Sequence, residues 1–348
     1  MTSSEAFFPL AISFGSMITA TGSVYNLPSE ARISFQKGLF LISLGFIYFT
    51  SLTTFFNKLM LETASGIKFR KKYQLSLYKV LDISNKLVSG IQAILSTITG
   101  VLVCKYSCTR NFLRTSYFLS ESYAYFGASY FIYDLWSMYV VFSAKTKEKL
   151  KATSNGTNGH HTEPVNNKPT VSPSSDDYKE ITCENIPSLK NGELRWFSGF
   201  NGMPSFMYWI SKSPLMVFHH LFIGWYGLLV ITYLRGALGD CVLSFFMMME
   251  LSTPFVSLRS ILSTMNLKDT RLYLINGLTM VALFFFFRIC IIPYAFYWYS
   301  SFADISIFNA ISGLPTHCKI AILSITLPQI YWFRLMINGA IKVFKPKK

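Results

Sequence analysis

Along the chain, apolar residues gather into runs of about twenty, separated by short polar and mostly basic stretches. A bilayer core needs ~20 consecutive apolar residues in a helix. Runs of that kind cover 38–57 (GLFLISLGFIYFTSLTTFFN), 86–104, 122–143, 214–234, 240–262, 273–297 and 318–340. An earlier stretch, 6–24, is apolar but short and rich in Gly, Ser and Thr; it lacks a basic leader and does not read as a signal peptide. It is either an extra span or a helix lying in the interface. The pattern predicts an all-α integral membrane protein of about seven transmembrane helices, eight if 6–24 crosses.

One long connection breaks the pattern. Residues 145–200 contain TSNGTNGHHTEPVNNKPTVSPSSDD, poor in hydrophobes and dense in Ser, Asn, Thr, Pro and Gly. Such a segment buries too little to offset its ordering entropy, so it reads as a disordered insertion. His160 and His161 within it are expected to be solvated and inert. The sequon at Asn155 is expected to stay bare, since the insertion falls on the cytosolic side.

Composition agrees with a membrane setting: 51% of residues are hydrophobic and only 14% charged, against about 25% charged in soluble domains. The net charge of +15 does not form one stripe, which argues against a nucleic-acid partner. Cations cluster in loops instead: Lys58, Lys68, Arg70, Lys71, Lys72 and Lys79, then Arg259, Lys268 and Arg271, then the tail from Lys342. Basic loops stay cytosolic, so the C-terminus is expected in the cytosol; Lys105, Arg110 and Arg114 dissent from this alternation. The six cysteines show neither a metal-binding spacing nor a disulfide framework.

Ionisable residues at bilayer depth are costly and therefore candidates for function. The list is Asp134, His219, His220, Glu250 and Arg288. At ~1.5 Å per residue, His219 lies ~8 Å, Asp134 ~14 Å and Glu250 ~15 Å from the basic end, with Arg288 deeper. That depth would let three acid–base groups share one cavity open to the cytosol. Adjacent histidines point ~100° apart on a helix, so only one ring is expected to face a given centre. Pro254 follows Glu250 by four residues and cannot donate to its carbonyl, which predicts a kink with that carbonyl free. The plainer reading makes Glu250 and Arg288 a structural ion pair, and Met247–Met249 and Phe284–Phe287 core or lipid-facing filler.

The stretches ASYFIYDLWSMY (128–139), the His219–His220 pair, LRGALGD (234–240), MELSTPFVSL (249–258), INGLTM (275–280) and LPQIYWF (327–333) together resemble the TLC domain. This membrane domain is shared by Lag-type ceramide synthases and TRAM proteins, and the spacing is most similar to the TLC domain-containing protein 3 subgroup. The resemblance divides the chain into an N-terminal segment with the first span (1–79), a TLC membrane domain (80–342) interrupted by 145–200, and a basic tail (343–348). It implies spans surrounding a central lipid cavity, an endoplasmic-reticulum or Golgi location, and ceramide metabolism. In ceramide synthases, acyl-CoA and a sphingoid base meet at a histidine pair, matched here by His219 and His220. A second His–Asp pair falls where this chain has Met249 and Glu250.

Methionine can act neither as base nor as nucleophile, whereas imidazole titrates near neutrality. Two functions follow. In one, an N-acyltransferase uses His219 or His220, oriented by Glu250 or Asp134, with acyl-CoA as co-substrate and no metal or bound cofactor. In the other, the same cavity binds membrane lipid without turning it over. Assembly as a homo- or hetero-oligomer is compatible with either.

Overall fold

The computed structural model describes residues 3–108, 114–156, 205–236 and 238–344, and every regular element among them is helical. In chain order these are α1 (Ser3–Tyr25), α2 (Phe35–Leu61), α3 (Ala64–Tyr73), α4 (Leu77–Ser107), α5 (Phe118–Gly156) and α6 (Phe206–Lys212). Then come α7 (Pro214–Leu234), α8 (Asp240–Thr264) and α9 (Arg271–Ala303), followed by α10 (Ile307–Ser312) and α11 (Thr316–Phe344). Seven of the described helices are long and apolar enough to cross a membrane: α1, α2, α4, α7, α8, α9 and α11. The chain is a multi-pass membrane protein.

Helix α1 settles into the bundle through the small polar residues that made its sequence ambiguous. Ser13 Oγ donates to the Tyr48 carbonyl at 3.1 Å and Ser16 Oγ to the Leu44 carbonyl at 2.6 Å, both on α2. The expected span 122–143 lies within α5, which is long enough but more polar than its neighbours. Its Glu121, Ser122, Ser129 and Asp134 are buried by other helices, so protein and not lipid solvates them. Large apolar side chains such as Phe8, Ile18, Trp225 and Phe286 point outward, as hydrocarbon permits.

Two compact units are distinguished: Met1–Met138 with Leu215–Lys348, and Tyr139–Pro214. In the smaller unit the Tyr139 ring packs against Phe206 and Trp209, with centroids 5.2 and 6.1 Å apart. The expected loss of order at 145 does not occur there, since α5 runs on to Gly156. The reason is local: KTKEKLK is built of good helix formers. The rest of that insertion, with His160 and His161, lies outside the described residues.

In the larger unit, α2, α4 and α5 share a core of Leu41, Phe49, Val88, Phe126 and Tyr130. Small residues set how closely these helices approach, as is usual where lipid supplies no hydrophobic drive. A Cβ built on Gly45 of α2 would overlap Ser129 Oγ and the Phe126 carbonyl of α5. Gly45→Val is therefore expected to cost about 1–3 kcal/mol, the range for overpacking. A depressed melting temperature in detergent checks this; an unchanged one would mean that α2 and α5 can separate freely.

The six cysteines do pair in part, contrary to the sequence reading. Cys108, at the end of α4, and Cys241, at the start of α8, form a disulfide with Cα atoms 4.9 Å apart. Their separation of 133 residues hid the pairing. Neighbouring helices that run in opposite directions bring the end of one to the start of the other.

Candidate functional site

The two histidines at the start of α7 part company. His220 Nε2 lies 2.7 Å from Asp134 Oδ2 of α5, and its Nδ1 lies 2.9 Å from the Met216 carbonyl one turn back. Asp134 Oδ1 in turn accepts from Asn85 Nδ2 of α4 at 2.6 Å. His220, Asp134 and Asn85 are all buried. Both nitrogens of His220 are thus engaged, and the triad ties α4, α5 and α7 together. His219 instead lines a cavity, its ring edge-on to Trp332 of α11 at 5.0 Å.

The cavity has a volume of about 540 Å³, within the ~300–1,000 Å³ typical of small-molecule sites. Its deep end is polar: His219, Glu250, Arg288 and Gln329. From there the lining passes apolar walls such as Phe131, Phe246, Phe296 and Ile325, then reaches Arg235, Gly239 and His317. That end carries the Cys108–Cys241 bridge and lies opposite the basic loops. This corrects two expectations. The cavity extends away from the basic end, and Asp134 is not among its lining residues because His220 and Asn85 hold it between helices.

Glu250 and Arg288 form the centre of the polar end. Arg288 sits in a π-helical stretch, Phe285–Cys290, a widened turn of the kind that recurs at functional sites. Its Nε donates to Ser252 Oγ at 2.9 Å and its Nη1 to Gln329 Oε1 at 2.9 Å. Its Nη2 donates to Glu250 Oε2 at 3.2 Å and to Thr253 Oγ1 at 2.6 Å. Thr253 Oγ1 also lies 2.6 Å from Glu250 Oε2. The carboxylate is therefore committed to Arg288 and Thr253, with no ion pair to a histidine among the described residues.

Pro254 acts differently from expectation. The helix tightens into a 3₁₀ turn, Met249–Ser252, and the Thr253 amide donates to the Glu250 carbonyl. Recruiting the amide one residue before proline satisfies the carbonyl that was expected to be free. Met249 is buried against Cys241, Phe245, Ile291 and Ile292 and also lines the cavity. Met247 and Phe284 are likewise buried, whereas Phe286 is exposed.

Sequence reasoning missed Asn85, Gln329, Ser252 and Thr253, because uncharged residues were not on the list of costly groups. It missed His317 because the run beginning at 318 excluded it. At the far end, Asp240 pairs with Arg235 and accepts from Ser120 Oγ at 2.8 Å, while Arg32 Nε meets Glu121 Oε1 at 2.8 Å. These charges on LRGALGD and on the start of α5 close that end of the bundle.

A family model for the TLC domain matches residues 82–338. The match begins in α4 and ends in α11, so it takes in the cavity and both polar clusters.

Proposed function

The chain belongs to the TLC-domain family, and on that premise we propose that it is a lipid-binding protein of ceramide metabolism in the endoplasmic-reticulum membrane. Membership makes it a multi-pass membrane protein of lipid metabolism; the lipid it holds is our reading. One observation carries it: an apolar cavity inside the bundle ends on a fixed polar patch of His219, Glu250, Arg288 and Gln329. Such a cavity can take a hydrocarbon chain along its walls and a hydroxyl, amide or carboxyl group at the patch. The resemblance to the TLC domain-containing protein 3 subgroup is what suggests ceramide or its precursors.

Two arguments support an orientation. Disulfides persist on the oxidising side of a membrane, which suits the Cys108–Cys241 end to the lumen. Basic loops suit the cytosol; if α5 crosses together with the seven helices α1, α2, α4, α7, α8, α9 and α11, the eight crossings put both termini there.

Acyl transfer is the second reading, favoured by the exposure of His219 to the cavity. In it, His219 takes the proton from the sphingoid amine as that amine attacks the acyl-CoA thioester, and thiolate leaves as CoA. Among the described residues no hydrogen-bond partner orients the His219 ring in the way that Asp134 orients His220, so we place lipid binding first.

The test is paired. The full chain in nanodiscs is offered a diazirine-bearing ceramide, and the cross-linked residues are mapped. Cross-links are expected on cavity residues, and Ala321→Trp, which fills the cavity from α11, is expected to reduce labelling at least tenfold. Labelling indifferent to Ala321→Trp would sink the binding reading. In parallel, acyl-CoA and sphingoid base are supplied to wild type and to His219→Ala. Turnover in the wild type that the variant loses by ~10²–10⁴ would put acyl transfer first.

A further inference from the structure

Helix α3 and the start of α4 form a second polar site that the cavity does not use. Thr63 caps α3 by accepting from the Gly66 amide, and Gln74 ends it in a left-handed turn at φ 50°. Phe69 and Tyr73, four residues apart, pack against a buried cluster of Met60, Leu75, Val80 and Ile83, which Ile261 and Met265, from α8 and the turn after it, also cover. This apolar seam folds α3 onto the end of the bundle. Lys68, Lys71 and Lys72 are left exposed, and Arg70 is half-buried. No acidic residue occurs between Glu62 and Asp82.

A hollow of about 440 Å³ lies at this corner, lined by Ile67, Arg70, Lys71, Gln74, Leu75 and Ser76. Two side-chain atoms among its lining residues are shielded from solvent and have no hydrogen-bond partner: Arg70 Nε and Ser76 Oγ. Ser76 is the N-cap residue of the 31-residue α4, yet its side chain makes no capping bond. A buried donor without an acceptor is costly, and a helix N-terminus with free amides favours an anion. A cationic side chain, a hydroxyl and a helix N-terminus therefore meet at one hollow.

We propose that this hollow binds the phosphorylated headgroup of an anionic membrane phospholipid. The phosphate oxygens accept from Arg70 Nε and Ser76 Oγ, while Lys68, Lys71 and Lys72 supply the surrounding positive field. A lipid fits better than free phosphate because exposed Ile67 and Leu77 border the site, and because α3 connects two membrane-crossing helices, at headgroup level. The site holds whether or not the interior cavity takes ceramide, since the two share no lining residue.

The experiment uses the full chain in phosphatidylcholine nanodiscs doped with spin-labelled phosphatidylinositol monophosphate, phosphatidylserine or phosphatidylcholine. The fraction of immobilised label reads selectivity. The phosphomonoester lipid is expected to be enriched at least tenfold over phosphatidylcholine, and raising salt should reduce that enrichment. Arg70→Gln with Ser76→Ala should abolish it. Neutralising Lys68, Lys71 and Lys72 with Gln should weaken it about fivefold per cation removed. Ser76→Asp retains a residue that can cap α4 and adds a repelling charge, so it should fold and lose the lipid. Neutralising Lys345, Lys347 and Lys348 should change nothing. Equal selectivity in Ser76→Asp and wild type would overturn the proposal. So would displacement of the lipid by inorganic phosphate at equal concentration, which would make the site one for free anions.

Discussion

Replacing Arg288 by methionine should unfold the bundle at a lower temperature, with a loss of about 1–3 kcal/mol for its unmet hydrogen-bond partners. That is less than for a fully buried ion pair, because the Glu250 carboxylate keeps 29% of its exposure. Arg288 is buried on α9 and fixes four other side chains: Glu250, Ser252 and Thr253 of α8 and Gln329 of α11. Methionine keeps an unbranched apolar stem, shorter than that of arginine, and none of its donors. Among the described residues Glu250 would keep only the Thr253 hydroxyl, and Gln329 Oε1 would lose its donor. Arg288→Lys should recover part of the loss, since one ammonium can reach Glu250 but cannot also serve Ser252 and Gln329 in the guanidinium plane. Removing both charges, with Arg288→Met and Glu250→Leu together, should cost less than Arg288→Met alone. Thermal melts of the purified variants in detergent decide this. A melting temperature equal to wild type in Arg288→Met would mean that Arg288 answers to water or headgroups and not to α8.

The adjacent histidines should separate just as sharply. His220→Ala leaves Asp134 buried with Asn85 as its one remaining partner among the described residues, and ~3–5 kcal/mol, the range for stranding one member of a buried ion pair, is at stake. His219→Ala should leave the melting temperature close to wild type, because that ring makes no hydrogen bond among the described residues and faces the cavity. Its effect should fall on the ligand: weaker labelling by the photoreactive lipid, or lost turnover where turnover exists. A second comparison guards against misreading a misfolded variant. Asp134→Asn keeps the shape of the triad and removes its charge, so it should destabilise less than His220→Ala. Loss of stability in His219→Ala, with none in His220→Ala, would reverse the roles assigned to the two rings.

Much of this molecule was open to reading from the chain alone, and for a simple reason. Bilayer thickness dictates the length of an apolar run, so the helices at 38–57, 214–234, 240–262, 273–297 and 318–340 announce themselves. The exception is instructive. The segment 122–143 was found by its apolar residues, yet Asp134 and the serines of α5 are hidden by α2, α4 and α7 and not by lipid. Helical geometry also implied that His219 and His220 could not both face one centre. Spacing gives angles around a helix's own axis, and those angles survived into the structure.

What spacing cannot give is which neighbour stands at each angle. Only the packed bundle decided that Asp134 belongs to His220 and Asn85, that Glu250 belongs to Arg288, and that the cavity runs towards Arg235 and His317. The same holds for Cys108 and Cys241, far apart in sequence but at matching ends of antiparallel helices. Even the Glu250 carbonyl escaped a correct local argument, because a 3₁₀ turn supplied an amide that an ideal helix would not. By itself the sequence determined the class of fold, six of the seven apolar membrane-length helices and the short list of costly polar groups, since each follows from solvent and from local geometry. Packing decided α1, left open by its sequence, and α5, too polar to join that set. The pairing of those groups, and with it the split between a structural triad and a cavity lining, depends on contacts between distant segments that only the tertiary structure could decide.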